Sequence, residues 1–451
     1  MCGLFGIVQE SALELIQLNQ AREARDVLTH RGPDQSGEWV KGTIYIGHRR
    51  LSILDTSEDG RQPMTDGQVV ITVNGEIYNF QALRTELEVI GYKFLSLSDS
   101  EVLLHGYHQW GIDGLVDKID GMYAAVIYDQ AKEELFAIRD RVGIKPFYYF
   151  FDGSTFLWAS ELKAIVSYLG KDNLEVDNTA IIDFLTYRYI PAPKSLYKNI
   201  FKLPAASILK LELKSKVLSV NKYWQLPVIE RDYSESEFSE ELIHLLARST
   251  KEQLVSDVAL GTLLSGGIDS SAVTAAAAKH NNKLHSFSLG FINSDKDETY
   301  YAQLAAAHIG TNHQVSMLDP NEMTDLFERM QSWFDEPFGD TSAVPTYRVC
   351  DFAKRSVSVA LSGDGGDELF GGYKWYQRFN KIRTWQKKIP YLPKYGFYFP
   401  KFIPKSSQLE LLSIGDPVWL YARLRGSANR KNLSYWKKQL GVQPNYDPLW
   451  A

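Results

Sequence analysis

Apolar residues recur along the chain with two different periods, and the change of period divides it into two halves. In the first half, short β-branched or aromatic runs at residues 43–46, 69–73, 122–128 and 135–138 lie between Gly- and Asp-containing turns, which predicts strands. Helical spacing over residues 12–28 and 80–90 predicts two intervening helices. Because these elements alternate without a regular strand-helix-strand repeat, the expectation is a layered α+β domain. Residues 189–193 read as a closing loop and 206–224 as a hairpin, so this domain is expected to span residues 1–228.

From Ser236 the pattern changes. Ser239 precedes a run in which Leu242, Leu245, Leu246 and Leu254 share one face, the spacing of an amphipathic helix. Residues 258–264, 284–290 and 357–361 are apolar runs of buried-strand length, separated by helical segments that include an alanine-rich one starting near Ser270. That order predicts a parallel, doubly wound α/β domain over residues 229–451.

Composition narrows the picture. With 49 basic and 55 acidic residues, a net charge of -6 and no long run of either sign, the chain lacks the footprint of a nucleic-acid-binding protein, so small-molecule substrates are expected. Two cysteines, Cys2 and Cys350, make no disulfide framework and fit a reducing compartment. The start has no secretory leader pattern and no stretch runs eighteen residues without charge, so a cytoplasmic protein without membrane contact is expected. The aromatic stretch at 391–403 is broken by Lys394, Lys401 and prolines. Cys350 lies among apolar residues and reads as a packed thiol.

Cys2 follows the initiator methionine, so removal of Met1 would leave a thiol beside a free α-amine. With a reference pKa of about 7.7 to 8.0, such an amine can accept a thiol proton near neutrality. Downstream lie His30-Arg31-Gly32-Pro33-Asp34, Gly47-His48-Arg49-Arg50-Leu51-Ser52, Asn74-Gly75-Glu76-Ile77-Tyr78-Asn79 and Ser98-Asp99-Ser100-Glu101, with Arg139-Asp140 and residues 143–148 beyond them. In these motifs the first half resembles the class II glutamine amidotransferases, which are N-terminal-nucleophile (Ntn) hydrolases. The resemblance implies that Cys2 attacks the glutamine amide and that the Asn74 side chain and Gly75 backbone N–H form an oxyanion hole. Arg50 would hold the substrate carboxylate, and Asp99 with Glu76 its α-ammonium. Arg31 and Asp34 read as a packed ion pair and turn, His30 and His48 as structural histidines.

In the second half, Leu264-Ser265-Gly266-Gly267-Ile268-Asp269-Ser270-Ser271 follows a predicted strand and opens a predicted helix, a setting in which backbone N–H groups close on phosphate oxygens. The loop lacks the Gly-Lys-Ser/Thr ending of a Walker A motif and resembles the loop of enzymes that cut ATP to AMP and pyrophosphate. A second turn, Leu361-Ser362-Gly363-Asp364-Gly365-Gly366-Asp367-Glu368, also follows an apolar run. Asp269 and Asp367 are the candidate Mg2+ ligands. Residues 286–290 resemble the strand edge that holds adenine, with Leu289 packing on the base.

Taken together, these features resemble the glutamine-hydrolysing asparagine synthetases, which implies ATP-dependent amidation of aspartate. Asp335-Glu336-Pro337-Phe338 and Asp340-Thr341-Ser342 resemble the acceptor side of that family. Asp364, the expected catalytic carboxylate, stands where many members carry glutamate, which leaves open another acceptor such as a sugar uronic acid. The family continues past the position of Ala451 through helices that carry acceptor contacts and a catalytic lysine, so the second domain is expected to be shortened. A non-synthetic scaffold with residual glutaminase is the third reading, and a homodimer remains open.

Overall fold

In a computed structural model of the protein, the described residues are 1–228, 233–295, 297–388, 411–426 and 430–448. The aromatic stretch at 391–403 lies outside them.

The first half folds into two six-stranded antiparallel sheets. One runs in the order Ile200–Lys202, Tyr148–Phe151, Phe156–Ala159, Gly3–Val8, Ile44–Arg50 and Gln35–Lys41. The other runs Val217–Lys222, Ser207–Glu212, Glu134–Arg139, Gly121–Asp129, Val69–Ile77 and Met64–Thr65. Alternation decides how they stack: Leu4, Val8, Ile44 and Ile46 of the first sheet meet Val70, Ala124 and Val126 of the second in one core. The opposite faces bury Phe5 and Ile7 under the helices Leu15–Asp26 and Leu162–Leu169, and Val69, Ile71 and Val73 under Phe80–Val89 and Glu101–Lys118. The result is a helix-sheet-sheet-helix sandwich, the layered α+β domain expected. All four predicted strands and both predicted helices are present, and residues 207–222 form the hairpin.

The second half builds a four-stranded parallel sheet in the order Asn312–Leu318, His285–Phe291, Leu260–Leu263, Val359–Leu361. Leu260 packs with Ala277 on one face, while Leu263 and Phe287 pack with Ala353 on the other, so helices cover both faces of a doubly wound α/β unit. Two details differ from the sequence reading. The first helix, Glu235–Gln253, starts before Ser239: Ser234 and Glu237 form a reciprocal capping box that satisfies its free N–H groups. The strand Asn312–Leu318 was missed because Asn312, His313, Gln314 and Ser316 break the apolar run.

The two units are tied by polar contacts. Glu336 accepts from the Leu196 backbone N–H at 2.8 Å and the Tyr148 hydroxyl at 3.3 Å, and pairs with Lys202. Asp335 accepts the Lys163 N–H at 2.8 Å. Trp419, Leu433 and Val442 pack on Ile182 of the helix Asn178–Tyr187. The acid residues expected on the acceptor side are therefore engaged between the units. Removing the carboxylate in Glu336→Ala strands three half-buried donors and should cost about 3 kcal/mol, read as a lower urea midpoint of the second unit. An unchanged midpoint would show that Glu336 does not hold the units together.

Candidate active site

Strand parity assembles the first cluster. The even-numbered positions of Gly3–Val8, Ile44–Arg50 and Val69–Ile77 face the core between the sheets, as Leu4, Ile46 and Val70 show. Continued to the end of the sandwich, the same parity carries Cys2, Arg50, Asn74 and Glu76. Cys2, Asn74, Gly75, Glu76 and Lys145 line one cavity of about 440 Å3.

The Cys2 thiol is buried and lies 3.8 Å from the Leu51 carbonyl. Burial pushes it up, and the neighbouring amine and Arg50 oppose that shift. The Met1 amine, also buried, is lowered to about 6. The Asn74 amide is fully buried, and neither its oxygen nor its nitrogen has a hydrogen-bond partner. A buried amide left unpaired costs free energy, so this one is available to a ligand in the cavity. Position 75 admits only glycine, because a Cβ there would stand 2.1 Å from the Met122 carbonyl oxygen.

Glu76 lines the cavity beside the thiol, and behind it the buried Asp99 accepts the Ile77 N–H at 2.7 Å. Burial first, then the Asp99 charge, pushes Glu76 up to about 8, and burial raises Asp99 as well. Two carboxylates buried this close cannot both ionise easily, although Lys145, the amino terminus and Arg50 oppose the rise of Glu76. Lys145, nearly fully buried, is lowered by burial, then by Arg31, while Glu76 pulls it back up. The terminal nitrogens of Arg50 donate to Gln35, Ser57, Leu54 and Asp55 oxygens. Those bonds fix the guanidinium plane at the edge of the cluster.

The same cavity reaches the second unit, where Val359, Leu361, Ser362 and Asp364 line it. The strand order explains why. Leu260–Leu263 sits between His285–Phe291 and Val359–Leu361, so the chain reverses its direction of growth there, and ligands of open parallel sheets bind outside the carboxyl ends at such a point. Both glycine turns leave these strand ends and pack on each other: a Cβ on Gly363 would meet the Ser270 nitrogen at 2.6 Å, and one on Gly366 the Asp269 carboxyl carbon at 2.5 Å. Ser265 Oγ and Ser270 Oγ are 3.0 Å apart, and Gly267 caps the helix Ile268–Ala278. Gly266 requires its positive φ of 82° and sits against Tyr301 and Ala302. Asp364 accepts from Ser362 Oγ at 2.8 Å.

The strand His285–Phe291 is internal to the sheet. It pairs along its length with Asn312–Leu318, but with Leu260–Leu263 only as far as Phe287. Phe287 O accepts from Leu264 N–H at 2.8 Å on that side, so by alternation the Leu289 backbone faces the gap where the neighbouring strand has ended.

Residues 1–224 match the glutamine amidotransferase domain family and residues 241–446 match the asparagine synthase family. An asparagine synthetase [glutamine-hydrolyzing] 2 of Methanocaldococcus jannaschii is 37% identical over 83% of this chain and 76% of its own length. The chain belongs to the glutamine-hydrolysing asparagine synthetase family. Asparagine synthetases [glutamine-hydrolyzing] 1 and 3 of Bacillus subtilis are 33% and 34% identical over 86% and 83% of this chain. The match spans 62% and 64% of those two proteins. No helix among the described residues is long and apolar enough to cross a membrane.

Within this family member, the structure brings Cys2, Asn74, Gly75, Glu76, Ser362 and Asp364 to one cavity, with Asp99 and Arg50 packed around them. Sequence reasoning passed over Lys145, whose place in the apolar run 142–147 signals a buried cation. Arg31 does not pair with Asp34. It donates through Nε to the Cys2 carbonyl at 2.8 Å and pairs with Glu161, while Asp34 accepts the Ser52 N–H. His48, fully buried and lowered to about 3 by burial, holds Thr72 across the sandwich at 2.8 Å, and His30 contacts Glu161. Cys350 is exposed on the helix Ala343–Ala353, not packed.

The buried thiol makes a chemical prediction. In a Cys350→Ser variant that retains Met1, alkylation of Cys2 by iodoacetamide should still be accelerating above pH 9 in the native chain. In the urea-unfolded chain it should level off near the ordinary thiol value of about 8.5. A native plateau below that value would show that burial does not hold the thiol neutral.

Proposed function

We propose that the protein transfers ammonia from glutamine to an ATP-activated carboxylate, most simply that of aspartate, with residues 1–228 as the glutaminase and 229–451 as the synthetase unit. The observation that carries this reading is the single cavity lined by Cys2 at one side and Asp364 at the other. Ammonia that escaped to bulk water would be protonated and no longer nucleophilic. A shared cavity with Leu246, Val255 and Val273 in its wall fits the passage of a small neutral molecule.

In this reading Met1 is removed, and the Cys2 amine takes the thiol proton and later returns it to the leaving ammonia. The thiolate attacks the amide carbon, the unpaired Asn74 amide and the Gly75 N–H stabilise the oxyanion, and water then hydrolyses the thioester to glutamate. The substrate α-ammonium settles between Glu76, raised by burial and by the Asp99 charge, and Asp99, raised by burial, while Arg50 receives the carboxylate.

In the second unit an oxygen of the acceptor carboxylate attacks the α-phosphorus of ATP and expels pyrophosphate. Ser265, Gly266, Gly267, Ser270 and Ser271 surround the phosphates, with Leu264, Ser362 and Gly363 completing the walls, and the Leu289 backbone reads adenine. Asp269 and Asp367, hard oxygen donors on two touching turns, suit Mg2+, which when bound neutralises charge on the leaving pyrophosphate. Ammonia then attacks the activated carbonyl and displaces AMP, with Asp364 taking the proton.

Cys2→Ala in the full-length enzyme should abolish glutamine-dependent product yet leave synthesis from free ammonium. Equal loss of both would sink the division of labour.

Glu76 gives a pH signature. With its carboxyl raised to about 8, a growing fraction is protonated as pH falls below that value, and only the ionised form attracts an ammonium. Glutamine binding to the Cys2→Ala protein, measured by calorimetry between pH 6 and 9, should weaken by up to about tenfold per unit below pH 8. Glu76→Gln should flatten the profile. A profile already flat in the Cys2→Ala protein would remove Glu76 from the ammonium site.

A further inference from the structure

An ion-paired chain leads from the nucleophile into the second unit, and it uses residues outside the chemistry above. Arg31 Nε donates to the Cys2 carbonyl at 2.8 Å. Its Nη1 donates to Glu161 at 2.8 Å, Glu161 meets Lys163 Nζ at 3.2 Å, and Lys163 Nζ meets Asp335 at 3.2 Å while its backbone N–H donates to the same carboxylate at 2.8 Å. Every link is partly buried, with side-chain exposures of 8% for Arg31, 16% for Glu161, 24% for Lys163 and 12% for Asp335. Contacts so screened from solvent hold geometry better than surface pairs do.

The far end of this chain meets the nucleotide side. Asp335 lies two residues beyond the helix Pro320–Trp333, whose Leu326 and Met330 pack in a cluster with Leu318, Val344 and Leu289, the residue proposed above to meet adenine. A shift of that helix when the crevice fills would reach Asp335 without passing through the cavity.

We propose that Lys163 is a positioning residue that couples occupancy of the nucleotide crevice to the reactivity of Cys2, through Asp335 on one side and Glu161 and Arg31 on the other. The proposal rests on the two-site reading above. Physically, the Lys163 ammonium bridges two carboxylates, one from each unit, so a displacement of Asp335 changes how Glu161 holds Arg31. Arg31 in turn fixes the first peptide carbonyl, and with it the direction of the thiol. Burial raises Asp335, Lys163 counters that shift, and Glu161 is held well below the usual carboxylate range by His30 and Arg31 against the cost of its burial, in keeping with a bridge of charged partners. Coupling between sites has physical content only where both bias one element, and that element here is the Lys163 bridge.

The test uses the full-length enzyme and reads glutamine hydrolysis with and without ATP, Mg2+ and aspartate, alongside ammonium-dependent synthesis. In the wild type, filling the second site should raise glutaminase kcat/KM by about fivefold or more. In Lys163→Met that stimulation should vanish while unstimulated hydrolysis and ammonium-dependent synthesis persist, and Lys163→Arg should restore it. Lys163→Met/Asp335→Asn should lose no more stimulation than Lys163→Met alone. The coupling is overturned if the wild type shows no stimulation, if Lys163→Met keeps it, if arginine fails to restore it, or if synthesis from ammonium is lost with it. Failure of the two-site reading looks different, since then wild-type protein makes no product from glutamine at all.

Discussion

A strand buried on both faces cannot slip, and that constraint fixes the chemistry of this protein. All six residues of Gly3–Val8 are buried between the second sheet on one side and two helices on the other. Gly6 locks the register, because any side chain there would approach within 1.9 Å of the Trp158 ring. A slip of one position would turn every side chain to the opposite face, so the packing of Leu4 and Phe5 decides on which side Cys2 emerges. The thiol is aimed by the core behind it, not by a flexible terminus.

The same parity brings a cost. Inner-face positions that would be apolar in an ordinary sandwich hold His48, Thr72, Asn74 and Glu76 toward the cavity end. His48 Nδ1 bonds Thr72, but His48 Nε2 and the Asn74 amide have no partner and the Glu76 carboxyl is raised far from its value in water. Because that carboxyl binds its proton more tightly in the folded chain than in the unfolded one, its contribution to stability declines as pH rises from its ordinary 4.5 toward 8. The apolar layers on either side, from Val69 to Leu115 and from Phe5 to Ile165, offset the strain of a polar pocket set into a core.

What the sequence disclosed follows from which forces act locally. Val69–Ile77 and Gly121–Asp129 were legible because their residues are β-branched or aromatic and flanked by turns. Asn312–Leu318 was not, since its polar side chains are tolerated only where His313 reaches Ser286 and Ser288 of the next strand, at 2.8 and 3.2 Å. Both glycine turns could be read from spacing, yet their contact at Gly363 and Ser270 depends on strand order, which spacing does not carry. The contacts of Asp335 and Glu336 with the first unit are not legible in the sequence for a similar reason. An acidic pair before a proline has the same local pattern whether it meets a ligand or another part of the chain, and only the fold puts Lys163, Lys202 and Tyr148 opposite it.

The placement of those ties bears on how a neutral nucleophile could travel between sites. Asp335, Glu336, Lys163, Lys202 and Asp183 join the two units but do not line the shared cavity, whereas Leu246, Val255, Val273 and Val359 do. A carboxylate beside the passage would favour ammonium over ammonia and hold it there by charge. Besides Glu76 and Lys145 near the thiol and Asp364 beside the second glycine turn, one carboxylate, Glu252, stands in the lining contributed by the helix Glu235–Gln253, together with polar Ser249, Thr250 and Gln253. The part of the wall formed by Leu246, Val255 and Val273 offers no stabilisation to the protonated form, and an interface held by charged contacts elsewhere can be tight without narrowing the cavity. Adhesion and passage thus fall to different residues, so the strength of one can change without altering the polarity of the other.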